Sequence, residues 1–307
     1  FSIIRSFLKK EIDLIISYDT NLIRTFLLLF LSKIINKQLI IILPEFYEKP
    51  KNNIREILKW YNFYLSIRYL IKYANGFIVA SFFLKKYIRN KLKCNKKVYV
   101  LPNLVDTNLF TDIATFPFKK ENITIGYSGT PTRKDGVIDL IDSFSILSKK
   151  YKNLHLLIIG DITNGDSLIP ELKKKASKLE VINNITFTGL IPFSKVPDLL
   201  KSCQILALTR PSGIFAEAGF PTKLGEYFAC KKPVLITKVG DIPNYFKNEK
   251  HVILVEPNNI DSIVDGFEKI ICNKDLSEKL SSNGYDWMKN NLDLNNVSTK
   301  LITFLKI

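Results

Sequence analysis

Histidine and cysteine, the usual ligands of protein-bound transition metals, are scarce in this 307-residue chain. Its two histidines are His155 and His251, and two such distant residues argue against a multi-histidine metal centre. The four cysteines are widely separated and form no C-x-x-C pair. This spacing argues against a zinc site and a small disulfide-stapled fold, and it is typical of a reducing compartment. Composition therefore predicts a cytoplasmic protein without a bound metal.

Long uninterrupted hydrophobic runs are also lacking. The most apolar stretch, residues 26–43, is broken by Lys33 and Lys37, well short of the roughly 20 apolar residues that a membrane-spanning helix needs. Residues 1–10 have no small-residue cleavage site, so they are not expected to be a signal peptide. Because the chain begins without Met, we expect its natural N-terminus to be missing.

Acidic residues are the minority charge. The formal net charge is +16, and more than half of that excess lies in residues 1–117. A basic region attracts phosphates, whether they belong to nucleic acid, to anionic lipid or to a lipid-linked substrate. The alternative is a Lys-, Asn- and Ile-rich composition inherited from an AT-biased genome. Composition alone leaves both interpretations open.

Strand and helix patterns alternate along the whole chain, which predicts an α/β fold with parallel sheets covered by helices. The length favours two domains. We assign residues 1–117 to the first domain, 118–275 to the second, and 276–307 to C-terminal helices that pack back across both. Because ligands of open parallel sheets bind outside the carboxyl ends of the strands, the loops that follow the strands are the places to look for a site.

The segment 217–226, EAGFPTKLGE, carries the strongest local signal. Pro221 and Thr222 predict a helix start at which Thr222 can cap free backbone N–H groups. Such a start suits a phosphate, and Lys223 adds a positive charge in the same turn. Glu226 lies one turn later on the same face, where its carboxylate could accept two hydrogen bonds from a ribose diol. An ordinary capped amphipathic helix explains the same spacing.

A second signal is the loop 129–136, GTPTRKDG, between a strand and a helix. Gly129 lets backbone amides approach a ligand, and Arg133 and Lys134 could neutralise a pyrophosphate. The loop has neither the Walker A spacing nor G-x-G-x-x-G. Alone it is a weak indication of a phosphate site.

Taken together, these segments resemble glycosyltransferase family 4, whose members are retaining enzymes of the two-domain GT-B architecture. The resemblance covers nearly all of the chain and is sharpest from Ile123 to about Val255. It rests on six segments in order: IGYSGTPTRKDGVIDLIDSF, LLIIGD, ITFTGLIP, VPDLLKSCQILAL, EAGFPTKLGEYFACKKPVLIT and HVILVEP. The resemblance implies two Rossmann-like domains. It also implies that the first β-α unit of the N-terminal domain, with its glycine-rich loop, is absent from this chain.

The resemblance also implies roles for individual residues. Arg133 and Lys134 would bind the donor diphosphate, and Glu226 would hold the ribose hydroxyls. The Glu217–Lys223 loop would wrap the transferred sugar and the phosphates, and the backbone at 188–191 would contact the nucleobase. The donor-binding set implied in this way, with the glycine of the second loop, is Gly129, Arg133, Lys134, Gly189, Ala218, Gly219, Phe220, Lys223 and Glu226.

Two departures from the family pattern affect the catalytic set, which is Glu217, Lys223 and Glu45. Family members have paired glutamates separated by seven residues, whereas eight residues separate Glu217 from Glu226 and the family spacing falls on Ala218. Many relatives also have a cleft-facing histidine at a strand end of the first domain. This chain has Pro44-Glu45 there. Glu45 either positions the acceptor or a sugar hydroxyl, or caps the next segment.

The function implied is metal-independent transfer of a hexosyl-type group, with retention, from a nucleoside-diphosphate sugar to a saccharide or lipid-linked acceptor. It needs no cofactor, no nucleic acid partner and no metal. Assembly of bacterial envelope polysaccharide or lipopolysaccharide, at the inner face of the cytoplasmic membrane, would suit the basic first domain. The alternatives are a basic nucleic-acid-binding α/β protein, although RRM, KH and zinc-finger spacings are absent, and a catalytically silent relative.

Overall fold

The structure is a computed structural model that describes residues 12–18, 20–50, 53–111, 123–163 and 167–305. The chain forms two compact units. Unit 1 contains Phe1–Pro102 and Glu217–Phe220, and unit 2 contains Asn103–Ala216 and Pro221–Ile307. The domain boundary predicted after residue 117 falls among residues 112–122, outside the described residues. The expected α/β organisation with two sheets is confirmed.

Unit 1 has a four-stranded parallel sheet in the order β1-β2-β3-β4. Its strands are β1 Leu14–Tyr18, β2 Gln38–Leu43, β3 Gly76–Val79 and β4 Lys97–Val100. Its helices are α1 Leu22–Ile34, α2 Ile54–Leu65 and α3 Phe82–Lys86. Helix α2 continues into a π-helical turn, Ser66–Leu70, and α3 into another, Tyr87–Lys91.

The core of unit 1 follows from its buried strands. All four residues of β3 are buried, as expected for an inner strand of a parallel sheet that is covered on both faces. Side-chain caps start the helices: Asn21 accepts from the Arg24 amide, and Ser81 from the Leu84 amide. Ala218 is packed within the same core cluster.

Unit 2 has a six-stranded parallel sheet in the order β10-β9-β8-β5-β6-β7. Its strands are β5 Ile123–Ser128, β6 Leu154–Ile159, β7 Ile185–Phe187, β8 Ile205–Leu208, β9 Val234–Thr237 and β10 Ile253–Val255. From β5 the chain moves outward to β6 and β7, then returns to the other side of β5 for β8, β9 and β10. The neighbours β5 and β8 therefore flank the topological switch point of the sheet, the usual ligand position in open α/β folds.

The helices of unit 2 alternate with these strands. They are α4 Val137–Lys150, α5 Ile169–Lys178, α6 Val196–Ser202, α7 Ile214–Ala218, α8 Lys223–Ala229, α9 Ile242–Tyr245, α10 Ile260–Cys272, α11 Lys274–Asn291 and α12 Leu294–Leu305. The last residues of α7 belong to unit 1 by their contacts. The sequence pattern of residues 209–221 predicts a long loop, but the structure has α7 within that stretch.

The C-terminal helices α11 and α12 are joined within unit 2 to the segment before β5. Val105 and Leu292 share a backbone hydrogen bond of 2.9 Å, and Asp293 accepts from Lys289 Nζ at 2.8 Å and from the Thr107 hydroxyl. Packing of residues 276–307 across both domains stays a prediction. Among the residues that the structure describes, no helix combines the length and the apolarity needed to cross a membrane.

Candidate functional site

Three glycines with positive φ follow three neighbouring strands of unit 2. Gly129, Gly160 and Gly189 come after β5, β6 and β7, with φ of +122°, +105° and +65°. A β-carbon at Gly160 would lie 2.8 Å from the Gly129 carbonyl oxygen, whereas nothing lies within 4 Å of one at Gly189. The glycines therefore let three loops approach one another, and Gly189 leaves backbone uncovered at the carboxyl edge of the sheet.

Lys223, the first residue of α8, extends its side chain over the Gly129 backbone. A β-carbon at Gly129 would lie 2.8 Å from the Lys223 ammonium nitrogen and closer still to its Cε. The helix is held there by Tyr227, whose hydroxyl oxygen accepts from the Ser128 amide at 2.9 Å. The two sequence motifs, far apart in the chain, therefore meet at the switch point of the sheet.

A buried carboxylate, Asp135, lies at the centre of this meeting point and is only 5% exposed. Its Oδ2 accepts from Lys223 Nζ at 2.8 Å, and its Oδ1 from Arg210 Nε at 3.3 Å. The Tyr127 hydroxyl lies 2.8 Å from Oδ2 and 2.9 Å from the Thr130 carbonyl oxygen. Burial alone would raise the pKa of Asp135, but the charge and hydrogen bond of Lys223, aided by Arg210, lower that pKa below its ordinary value.

Lys134 joins the same cluster through an aromatic ring. Its Nζ is 4.0 Å from the centroid of the Phe215 ring, and the Arg210 guanidinium carbon is 4.9 Å from that centroid. Aromatic rings stabilise cations placed over their faces. The cations Lys134, Arg210 and Lys223 outnumber Asp135, so the cluster has a net positive charge.

Arg133 is placed differently from its neighbour Lys134. Its guanidinium contacts both oxygens of Glu171, at 2.7 and 2.8 Å, and both side chains are exposed. Exposed ion pairs of this kind are weak in water. The structure therefore leaves Arg133 at the edge of the loop with an acidic partner, and brings Lys134 rather than Arg133 into contact with the ring beside Arg210.

Glu226 is half-buried on α8, one turn after Lys223. Burial raises the pKa of its carboxyl group, and the charge of Lys223 opposes that rise. The expected cap at Thr222 is wrong: its backbone is already helical and its side chain makes no capping bond. N-cap residues typically have an extended backbone, whereas Thr222 has φ −57° and ψ −39°.

The remaining candidate residues belong to unit 1. The Ala218 carbonyl accepts from the Ser81 hydroxyl at 2.7 Å. Of its neighbours, Glu217 is exposed, Gly219 is half-buried and Phe220 is buried. Glu45 follows β2 and accepts from the Tyr47 hydroxyl at 2.6 Å. It does not cap the next helix, because Asn53 accepts from the first free amides of α2. That alternative for Glu45 is therefore wrong.

Sequence reasoning missed four members of the cluster: Tyr127, Asp135, Arg210 and Phe215. A signal existed for Arg210, which lies two residues after β8 in a loop that the strand-end rule marks. Asp135 lies inside the marked glycine loop, but an acidic residue does not point to an anion site. Its role depends on partners 75 and 88 residues away.

The arrangement suits a ligand that carries closely spaced negative charges. Lysine and arginine side chains, with the open backbone at Gly189, offer the donors and positive charge that a diphosphate requires. Among residues 12–18, 20–50, 53–111, 123–163 and 167–305, no three His, Cys, Asp or Glu side chains are grouped closely enough to hold a metal ion.

Comparisons with known proteins show the family of the chain. The sequence model of the family "Glycosyl transferases group 1" matches residues 110–287. An uncharacterised glycosyltransferase of Methanocaldococcus jannaschii is 26% identical over 227 residues, which cover 72% of this chain. The chain spans 58% of the length of that relative.

Solved structures bear on the fold. A glycosyltransferase from Rickettsia africae superposes with a TM-score of 0.78 and 19% identity, covering 99% of this chain and 79% of its own. HepE from Anabaena in complex with UDP superposes with a TM-score of 0.76 and 17% identity, covering 99% and 80%. A further structure of HepE contains UDP-glucose. These similarities confirm that the fold is of the GT-B class.

Proposed function

Because the chain belongs to the group 1 family of glycosyl transferases, we propose that it transfers a hexosyl group from a nucleoside-diphosphate sugar to an acceptor, with retention at the transferred carbon. The observation that carries the proposal is the meeting of Lys223 with Gly129 at the switch point of the unit 2 sheet. That position fixes a cation at the edge of the sheet where α/β folds bind ligands. The UDP and UDP-glucose bound to HepE support the class of donor.

The proposed chemistry is stabilisation of a leaving diphosphate. As the bond between the sugar and the diphosphate breaks, negative charge grows on the phosphate oxygens. Fixed cations stabilise that charge more in the transition state than in the ground state, and this electrostatic effect is usually the largest single contribution to catalysis. Lys223 and Lys134 supply the cations, and a phosphate oxygen takes the acceptor's proton. The proposal requires no metal ion or cofactor, so activity should survive a chelator.

The other donor contacts are part of the proposal. The half-buried Glu226 carboxylate would accept from the ribose hydroxyls, and the open backbone at Gly189 would contact the base. The 217–220 segment would contact the transferred sugar and the phosphates through Glu217 and the Gly219 amide. The amides expected at Ala218 and Phe220 are not available, because both residues are buried. Arg133 would reach the diphosphate by exchanging Glu171 for phosphate oxygens. A phosphate is the stronger partner because it has more charge and more acceptor oxygens.

We propose unit 1 as the acceptor side. A hollow of about 770 Å³, at the carboxyl end of β1 and β2, is lined in part by Asn21, Tyr47, Trp60 and Phe63. The Trp60 indole donates to the Tyr47 carbonyl at 3.0 Å and is stacked on Tyr64, so its ring is fixed. Flat apolar rings beside amides and charged side chains match the apolar faces and hydroxyl rims of sugars. This chemistry supports a saccharide or a lipid-linked saccharide as acceptor, with Glu45 nearby in sequence as a partner for a hydroxyl.

The outer face of α1 supports contact with an anionic membrane. Its apolar side chains are more than half exposed and recur every three or four residues along one stripe: Ile23, Phe26, Leu27, Phe30 and Ile34. Arg24 and Lys33 lie on the same helix. An apolar stripe with nearby basic residues is the pattern of helices that rest in a membrane interface. Co-sedimentation with anionic but not neutral vesicles, lost in the double variant Phe26→Glu/Phe30→Glu, would support this contact.

A ligand screen tests the proposed function. Thermal unfolding is measured with UDP-, GDP-, ADP- and CMP-sugars, because a ligand that binds only the folded state raises its stability with concentration. One class of donor should raise the unfolding temperature of the wild type, and transfer or slow hydrolysis of that donor should follow in the presence of EDTA. Binding without either reaction would identify a silent sugar-nucleotide-binding relative, and no stabilisation by any donor would overturn the proposal.

A further inference from the structure

The buried ion cluster of unit 2 contains one carboxylate that a simple anion site would exclude. Asp135 lies between Arg210 and Lys223 and contacts both, at 3.3 and 2.8 Å. A negative charge beside a diphosphate would repel it, unless that charge has a task that outweighs the repulsion. The contacts of Asp135 indicate what that task is.

Asp135 connects three separate parts of the sheet edge. It lies in the loop after β5, Arg210 follows β8, and Lys223 begins α8. The same edge is closely packed, because a β-carbon at Gly136 would overlap the Thr209 carbonyl and the Thr209 hydroxyl donates to the Gly136 carbonyl at 2.8 Å. The loop that contains Asp135 is therefore packed directly against the segment after β8 that carries Arg210.

Both cations are long side chains that need a partner to hold them in one conformation. The Arg210 side chain is only 8% exposed and that of Lys223 18% exposed. Such charges are costly to bury unless they are paired, and long side chains lose rotamer freedom when they are fixed. A carboxylate shared by both side chains offsets the cost of burying their charges and the loss of their rotamer freedom. It also fixes the distance between the Arg210 guanidinium and the Lys223 ammonium group. Phe215, against the Arg210 guanidinium, completes the support.

We propose that Asp135 is a positioning residue that holds Arg210 and Lys223 as a preorganised pair for the donor diphosphate, and that Arg210 is itself a phosphate-binding residue. This inference rests on the proposed function and extends it to residues that no motif marks. Asp135 acts through its two partners and does not contact the donor. With Lys134 beside the same ring, the cluster keeps a net positive charge after Asp135 is counted.

The test measures binding of two probes, inorganic pyrophosphate and the nucleoside diphosphate selected by the screen, to wild type, Asp135→Asn, Arg210→Met and the double variant. Asp135→Asn should weaken binding of both probes roughly tenfold, since residues of one ion-pair network are energetically coupled. Arg210→Met should weaken both as well. In the double variant, the further loss caused by Asp135→Asn should shrink, because one of its two partners is already gone. Asp135→Glu, which keeps the charge, should recover part of the affinity.

The control is Asp293→Asn. Asp293 is another buried carboxylate of unit 2 with a lysine partner, Lys289, and it belongs to no part of the proposed site. Thermal unfolding of each variant without ligand separates loss of fold from loss of affinity. Asp293→Asn should destabilise the protein and leave pyrophosphate affinity at the wild-type value.

The outcomes distinguish this inference from the proposed function. Tighter pyrophosphate binding by Asp135→Asn would mean that the carboxylate only opposes the anion, and would overturn the inference. Nucleotide binding that is unchanged in Asp135→Asn and Arg210→Met would also overturn it, with the proposed function intact. Failure of the wild type to bind either probe would overturn both.

Discussion

The side chain of Lys223 occupies the space that a β-carbon at Gly129 would need. That β-carbon would lie 2.8 Å from Nζ and closer still to Cε, and Gly129 has a φ of +122° that L side chains rarely adopt. The glycine after β5 is therefore required for two independent reasons. One is its own backbone conformation, and the other is the path of a lysine that is 94 residues further along the chain.

Gly129→Ala should remove donor binding more completely than it removes stability. The new methyl group displaces Lys223 from Asp135, and the strained φ adds a cost of about 1 to 3 kcal/mol to folding. We expect donor affinity to fall more than tenfold, measured by calorimetry on folded protein. Gly213→Ala is the matched control, since Gly213 has a φ of +154° with nothing within 4 Å of the added carbon. Equal loss of donor affinity in the control would contradict the assignment.

Glu226→Gln should change how the stability of the folded protein depends on pH. The folded-state pKa of Glu226 is raised by burial above its unfolded value of 4.5, so the folded protein binds this proton more tightly than the unfolded chain. Stability contributed by Glu226 is therefore lost as pH rises from about 4.5 through the raised folded pKa. The glutamine variant lacks this loss, so its stability relative to wild type should increase across that window.

The same Glu226 variant should bind the donor about tenfold more weakly, because a charged acceptor of the ribose hydroxyls is replaced by a neutral one. Thermal unfolding from pH 4 to pH 8, with and without the donor, measures both effects. A nucleotide that lacks the ribose hydroxyls should bind wild type and Glu226→Gln equally. If the variant discriminates between the two nucleotides as strongly as wild type does, Glu226 does not hold the ribose.

The sheets were predictable from sequence because buried parallel strands read as short, nearly continuous apolar runs. Apolar runs at 38–43, 76–80 and 123–127 predict three strands, and β2, β3 and β5 lie within one residue of those bounds. Two alternating α/β segments then fixed the fold class. The run at 251–255 also predicts a strand, but the observed β10 is shorter, Ile253–Val255. Residues 217–220, next to α8 in sequence, belong to unit 1 by their contacts. Sequence pattern does not encode that assignment.

The site was predictable only where a local motif carried it. Gly129, Lys134, Lys223 and Glu226 stand in recognisable loops. The pairing of Asp135 with Arg210 spans 75 residues, and an isolated arginine after a strand has many ordinary explanations. Thr222 shows the opposite error, in which a favourable residue type predicted a cap that the helical backbone at that position does not allow.

Lys134→Ala and Arg133→Ala should differ in their effect on the donor. Lys134 contacts the Phe215 ring that also supports Arg210, so its loss removes both a charge and part of the support of the cluster. We expect donor affinity to fall about tenfold. This difference from wild type should become smaller as salt is added, because salt screens the charges. Arg133 begins paired with Glu171, so Arg133→Ala should cost less. The control is Lys150→Ala. Lys150 is an exposed lysine at the C-terminal end of α4, and it is paired with Glu268 of α10. A larger loss from Arg133→Ala than from Lys134→Ala would contradict this ranking.

Trp60→Ala should impair the acceptor and spare the donor. The indole is fixed by its hydrogen bond to the Tyr47 carbonyl and by stacking on Tyr64, at a ring separation of 5.0 Å, so it is a rigid wall of the unit 1 hollow. Removing it deletes a flat apolar surface while the donor residues of unit 2 stay intact. KM for a saccharide acceptor should rise about tenfold, since loss of one large aromatic contact in a binding site costs about 1 to 2 kcal/mol or more. The donor-induced rise in unfolding temperature should equal that of wild type.

Tyr69→Ala, an exposed aromatic of the same unit outside the hollow, controls for general loss of aromatic surface. An unchanged acceptor KM in Trp60→Ala would place the acceptor elsewhere, and a lost donor response would show that the substitution disturbs more than the hollow.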